Sequence, residues 1–113
     1  MKRLRRRYLA LKAEDDQFFY GRDLMDALWS MVYQLFGEFG ASQTGLSKVK
    51  LDEEKGVLIV RCSHKALGIV RASVAAVTEI NGKRAIIHVV GVSGTLNGLR
   101  EKLLKQQTRG SYK

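Results

Sequence analysis

Leu51-Asp52-Glu53-Glu54-Lys55-Gly56-Val57-Leu58-Ile59-Val60 is the stretch that decides the fold. A polar turn, Asp52 to Gly56, opens into a near-continuous apolar run of strand composition, Val57 to Val60. Ahead of it, Lys48 to Asp52 alternates as an edge-type strand. The centre of the chain is therefore a pair of strands turned back on each other, and the pattern on either side is helical. Upstream, Asp23 offers an N-cap, with Asp26 three residues on resembling a capping box. That helix is expected to run to about Phe36 and to stop at Gly37 and Gly40. Its core stripe is Leu24, Leu28, Met31, Val32 and Leu35, widened by Met25, Trp29 and Phe36, with Tyr33 just beyond. Downstream, Cys62-Ser63 leads into a second helix with Ser63 as N-cap and Leu67, Val70, Val74 and Val77 facing the core. Gly68, Ala72, Ala75 and Ala76 keep the rest of its surface small, and Asn81-Gly82 is expected to end it.

The outermost elements complete the order. Tyr8 to Lys12 reads as a short strand, joined to the first helix by the acidic segment from Ala13 to Tyr20, which carries Phe18-Phe19-Tyr20. Arg84 to Val92 reads as a last strand, broken at Gly91-Val92-Ser93-Gly94. Thr95 to about Gln106 reads as a basic helix bearing Leu96, Leu99, Leu103 and Leu104. The order β-α-β-β-α-β with an additional helix is the ferredoxin-like split-βαβ pattern, an α+β sandwich. Right-handed crossovers put both main helices on one face of the sheet. The other face is expected to be open or covered by the terminal helix. One domain is expected over residues 1–105, with residues 106–113 as a tail.

Of the 113 residues 45% are hydrophobic and none is proline, which favours an ordered fold. Cys62 is the single cysteine, so no internal disulfide can form, and a reducing compartment is expected. No apolar run approaches a membrane span, and the basic N-terminus is not followed by a signal-peptide core. A soluble, cytoplasmic chain is the expectation.

The net charge of +9 is unevenly distributed. Residues 1–12 carry six bases and no acid, residues 13–40 one base and six acids, and residues 83–113 seven bases and one acid. Lys2, Arg3, Arg5, Arg6 and Arg7 run directly into the first strand, which would hold several charges at fixed spacing. Each such residue that neutralises a phosphate releases a condensed counterion, and arginine forks phosphate bidentately. A frayed, solvating terminus is the plainer reading, and the arginine excess weighs against it. Arg3, Arg5, Arg6, Arg7, Lys83, Arg84, Arg100, Lys102 and Lys105 are the candidate contacts to an RNA backbone, with Arg61, Lys65 and Arg71 in a secondary role. The broad apolar edge Met25, Trp29, Tyr33 and Phe36 lies in the acidic segment and is the candidate protein interface.

Catalytic constellations are missing. Cys62, His64 and His88 are too few for a structural zinc site, and no recognised motif surrounds Cys62. Asp15-Asp16 and Glu53-Glu54 read as solvated loop charge. Lys55-Gly56-Val57-Leu58-Ile59-Val60 has the Lys-Gly and Val spacing of the RNA-recognition-motif signature, but Val57 and Ile59 stand where stacking rings belong. Gly91-Val92-Ser93-Gly94-Thr95 is a strand-to-helix turn where an anion could settle, although a glycine-permitted turn with Thr95 or Ser93 as N-cap is the favoured reading.

Arg6-Arg7-Tyr8-Leu9, Val60-Arg61-Cys62, the Arg71-bearing helix, Thr78-Glu79-Ile80 and Gly91-Val92-Ser93-Gly94-Thr95 occur together and in order. In this they resemble protein component two of archaeal ribonuclease P, a subunit family with eukaryotic ribonuclease P/MRP members. The resemblance covers most of residues 3–104. It implies a subunit of the endoribonuclease that removes 5′ leaders from precursor tRNA, with no catalytic residue, metal or cofactor in this chain, because the RNA and its magnesium perform the hydrolysis. It also implies a TIM-barrel-like partner, component three, and a homodimer within a two-plus-two heterotetramer. A regulatory ligand-binding or oligomerisation module of ferredoxin-like fold is the alternative, and it has no need of a basic arm. A protein-only nuclease would need the carboxylate or histidine cluster that is lacking.

Overall fold

In chain order the elements are β1 (Arg6–Ala13), α1 (Gly21–Ser42), β2 (Ser47–Asp52), β3 (Val57–Ser63), α2 (Leu67–Ala76), β4 (Glu79–Ile80), β5 (Lys83–Arg84), β6 (Ile87–Ser93) and α3 (Leu96–Gly110). The computed structural model describes residues 5–52 and 55–110. Lys2, Arg3 and the Glu53-Glu54 pair lie outside the described residues, as do residues 111–113.

β1 is the strand around which the others are arranged. Its side chains alternate, so that Leu9, Leu11 and Ala13 go to one face of the sheet and Ala10 to the other. It pairs antiparallel with β3 on one side, Leu9 opposite Val60, and with β6 on the other, Leu9 opposite Val92. β2 adds to the outer edge of β3, giving the order β2-β3-β1-β6. Each long helix thus links two strands with a third between them, and the fold is the ferredoxin-like βαββαβ sandwich with an additional C-terminal helix.

Both faces of the sheet are covered. On one, Leu24, Met25, Leu28 and Val32 of α1 and Val70 and Val74 of α2 pack on Leu9, Leu11, Leu58, Val60 and Cys62. On the other, Leu99 of α3 is fully buried against Ala10, Val57 and Ile59, with Tyr8, Val90, Leu96 and Leu103 around it. Burial of a leucine side chain is worth about 1.5–3 kcal/mol, which holds α3 on the sheet.

Several local expectations are corrected. α1 starts at Gly21, with Tyr20 at the cap position and no side-chain cap. The Leu24 amide bonds the Tyr20 carbonyl at 3.1 Å, so the helix begins three residues earlier than Asp23 as N-cap would allow. Asp23 sits in the first turn, where its charge complements the helix dipole. At Gly37 the backbone takes φ 73°, ψ −177°, essentially a glycine-only conformation, before helical turns resume to Ser42. The stripe therefore fails at its end: Leu35 is half exposed, while Met25 is in the core. Ser63 does not cap α2; its hydroxyl donates to the Gln43 carbonyl at 3.1 Å, and a single turn over His64–Ala66 precedes the helix.

Asn81-Gly82 does not end α2. The helix stops at Ala76, and Asn81 (φ 52°) and Gly82 (φ 81°) form the turn between β4 and β5. Two successive positive φ values are what a type I′ hairpin turn requires. The expected strand from Arg84 to Val92 is split accordingly, and its long part begins at Ile87. Gly91 does not break that strand either. Opposite Ala10 and Leu11 the register skips Val90, a bulge, and β6 continues to Ser93. α3 runs to Gly110 instead of stopping near Gln106.

Candidate nucleic-acid interface

The basic residues fall at two poles and along two helices. At the first pole, Arg6 is opposite Ser63, Arg7 opposite Cys62 and Tyr8 opposite Arg61, while the His64 amide donates to the Arg5 carbonyl at 2.7 Å. The sheet therefore fixes the entry of the arm beside the end of β3, bringing Arg5, Arg6, Arg7, Arg61 and Lys65 together. Arg5, Arg6 and Lys65 are exposed; Arg7 and Arg61 are half-buried. Arg61 Nε donates to Ser47 Oγ at 3.2 Å, which orients its guanidinium. Arg7 lies beside Gly94, where a Cβ would come within 3.0 Å of its Nη1. Lys102 Nζ donates to the Val92 carbonyl at 2.6 Å and ties α3 to the same end of the sheet. Exposed Lys48 and Lys50 on β2 add charge that the sequence reading left out, although the alternation of Lys48-Val49-Lys50 was the available signal.

Lys83 and Arg84 are not part of this group. They stand on the β4–β5 hairpin, beyond the Ala13 end of β1, where the Glu14 amide bonds the Ile86 carbonyl at 2.8 Å. At about 3.3 Å per residue the length of β1, roughly 23 Å, separates the two groups. Arg71 is exposed on α2, and Arg100 and Lys105 are exposed on α3. Arg3 lies outside the described residues.

Three alternatives lose their footing in this geometry. Val57 and Ile59, where stacking rings would stand, are buried beneath α3, so this face of the sheet offers no platform for bases. At the start of α3, Ser93 Oγ accepts from the Thr95 amide at 3.3 Å and Thr95 Oγ1 accepts from the Gly98 amide at 3.0 Å. These are capping bonds, and they occupy amides that an anion would have used. Cys62 is fully buried, and burial pushes its thiol up from 9.0 to about 11 against the opposing pull of the Arg7 guanidinium. It is a core side chain and not a neutral-pH nucleophile. His88 Nε2 pairs with Glu14 Oε1 at 3.2 Å on the surface. Among the described residues no three of His, Cys, Asp and Glu converge to hold a metal ion, and no helix is long and apolar enough to cross a membrane.

The apolar edge of α1 is reorganised relative to the sequence reading. Met25 belongs to the core. Trp29 is half-buried, packs on that core and meets the Tyr33 ring at 6.0 Å. Tyr33, Leu35 and Phe36 are exposed, and beyond the Gly37 corner Phe39 is 80% exposed. Leu35 and Phe39 were missed because one was assigned to the core and the other lay after an expected helix stop.

The sheet is thus closed on both faces, with its largest group of cations at one end and a second basic pair at the other. The sequence profile of the Rpp14/Pop5 family matches residues 7–104, and the chain belongs to that family. It is 36% identical over 105 residues to ribonuclease P protein component 2 of Methanosarcina mazei, covering 93% of this chain and 89% of that protein. The same component of Pyrococcus furiosus is 35% identical over 102 residues, covering 90% of this chain and 85% of the relative. In fold, the chain is similar to one in the cryo-EM structure of yeast ribonuclease MRP. The TM-score is 0.66 with 13% identity, covering 99% of this chain and 98% of that one.

Proposed function

We propose that this chain is an RNA-binding protein subunit of ribonuclease P, acting in the removal of 5′ leaders from precursor tRNA. It is a subunit of an endoribonuclease complex, and hydrolysis is assigned to the RNA with its magnesium. The observation that carries the RNA contact is the first basic pole, where β1 and β3 hold Arg5, Arg6, Arg7, Arg61 and Lys65 at one end of the sheet. Such an array suits a phosphate backbone and needs no base recognition. Family membership over residues 7–104 supplies the assembly in which that contact is useful.

The protein partner is assigned to the opposite character of surface. Tyr33, Leu35, Phe36 and Phe39 expose apolar area on a helix that carries no base after Arg22, which fits a protein surface of the component-three type. The plain test is reconstitution. The chain, stripped of carried RNA, is expected to leave precursor tRNA intact in magnesium, and to raise leader removal when added with a component-three protein to ribonuclease P RNA. Leader removal by the stripped chain alone, or no effect on the reconstituted reaction, overturns the reading.

A further inference from the structure

Phe18 and Tyr20 are 70% and 66% exposed, two adjacent large apolar rings held in solvent. The segment that carries them is extended: Gln17 has ψ 132° and Tyr20 has φ −80°, ψ 139°. Phe19 turns inward and packs on the core, and its neighbours on either side are held outward. Their rings meet edge to face, with centroids 5.1 Å apart and planes at 82°. Beneath them is a cleft of about 100 Å³, bordered by Gln17, Asp23, Asn81 and Lys83.

This cleft is braced on both sides. Gln17 Nε2 donates to the Arg84 carbonyl at 3.1 Å, and the Ala85 amide donates to the Thr78 carbonyl at 3.0 Å. The Tyr20 carbonyl accepts the first bond of α1. The aromatic segment, the helix start and the β4–β5 hairpin are thus tied together, so a ligand would find the cleft formed in advance.

We propose that the Phe18–Tyr20 cleft takes an unpaired nucleotide of an RNA strand. The proposal rests on the RNA-subunit reading and adds a second contact of different chemistry. An exposed ring stacks on the flat face of any base. The two charges that line the cleft have opposite sign. Asp23 accepts hydrogen bonds from a base edge, and Lys83, with Arg84 beside it on the hairpin, meets the phosphate. A nucleotide satisfies both charges at once. An arginine from a protein partner would suit Asp23 and oppose Lys83, and a carboxylate would do the reverse. The sheet face that carries stacking rings in RNA-recognition motifs is covered by α3, so stacking on that face is closed off.

The experiment measures binding of a fluorescein-labelled 12-nucleotide oligoadenylate and of a labelled RNA duplex to the full chain by anisotropy. The variants are Phe18→Ala/Tyr20→Ala and the conservative Phe18→Tyr/Tyr20→Phe. Both side chains are largely exposed, so both variants are expected to keep the wild-type circular dichroism. The alanine pair should weaken oligoadenylate binding roughly five- to hundredfold, leave the duplex within twofold, and be matched by no loss in the conservative pair. Unchanged oligoadenylate binding, or an equal loss on both RNAs, overturns the cleft proposal while duplex binding still supports the basic pole. Retained binding of both RNAs with loss of a component-three protein would make the cleft a protein surface and also overturn it. If wild type binds neither RNA, the RNA-subunit reading fails first and this inference fails with it.

Discussion

Leu99 of α3 rests on the bare backbone of Gly91 in β6: a Cβ at position 91 would lie 3.0 Å from Leu99 Cδ1. Leu99 is fully buried, and it is the leucine that closes the second face of the sheet. Leu99→Ala should therefore cost about 2–5 kcal/mol of unfolding free energy in urea titration. Gly91→Ala alone should cost less, because Leu99 is a side chain that can shift. In the double variant the new methyl occupies part of the space that Leu99 vacates. The double variant should then cost less than the sum of the two single costs, and strict additivity would count against this packing.

The thiol of Cys62 gives stability a pH dependence of known sign. Its folded pKa is raised by burial from 9.0 to about 11. The unfolded chain therefore loses this proton first as pH rises, binding fewer protons than the folded chain between those values. The contribution is complete below pH 9 and is lost as pH climbs toward 11, by roughly 2–3 kcal/mol for a two-unit shift. Urea midpoints from pH 8 to pH 11 should fall more steeply for wild type than for Cys62→Ala. Parallel curves would contradict the assignment. The same burial predicts that a thiol reagent at pH 8 reacts with Cys62 only after denaturation.

The basic pole should be read by salt. Arg5→Ala/Arg6→Ala/Lys65→Ala removes three exposed charges and little packing, so the melting temperature should hold. The slope of log affinity against log salt should fall by roughly 0.9 for each duplex phosphate no longer neutralised, or 0.7 on a single strand. Replacing Lys83 and Arg84 instead should change duplex affinity less, because those residues stand at the other end of β1. An unaltered slope in the triple variant would remove the first pole from the RNA interface.

The apolar edge of α1 divides into a structural part and an exposed part. Tyr33→Asp/Phe39→Asp should abolish capture of a component-three protein while leaving the melting temperature nearly unchanged, since both side chains are exposed. Trp29→Ala is a different case. The ring is half in the core and should cost roughly half of the 3–5 kcal/mol expected for a fully buried aromatic. Partner capture that survives Tyr33→Asp/Phe39→Asp would move the interface elsewhere.

Strand order and layering were legible because they depend on periodicity. Leu9 and Leu11 alternate with Ala10, and Leu24, Leu28 and Val32 recur at helical spacing, whatever their final neighbours. Details set by glycine and by tertiary closeness were harder to read. Gly37 does interrupt the helix as expected, yet nothing local indicates that helical turns resume and carry Phe39 outward. Gly91 suggests a strand break, whereas its missing side chain makes room for Leu99, a residue eight positions later. Asn81-Gly82 suits either a helix end or a hairpin turn, and only the pairing of Glu79 with Arg84 selects the hairpin. Among the basic residues, the run at the N-terminus indicates one pole. The position of Lys83 and Arg84 at the far end of β1 depends on the fold.

Arg6 begins a strand that is hydrogen-bonded along both edges, facing seven partners in β3 from Ser63 to Val57 and six in β6 from Ser93 to Ile87. A load applied through the arm is transmitted along the central strand. Drawing that strand out lengthwise strains both ladders together, whereas peeling an edge strand would break its bonds in turn. The arm is thus anchored in the strand that is paired on both edges, so, on the proposed RNA contact, a tug on the RNA should move the whole domain before it frees Arg6.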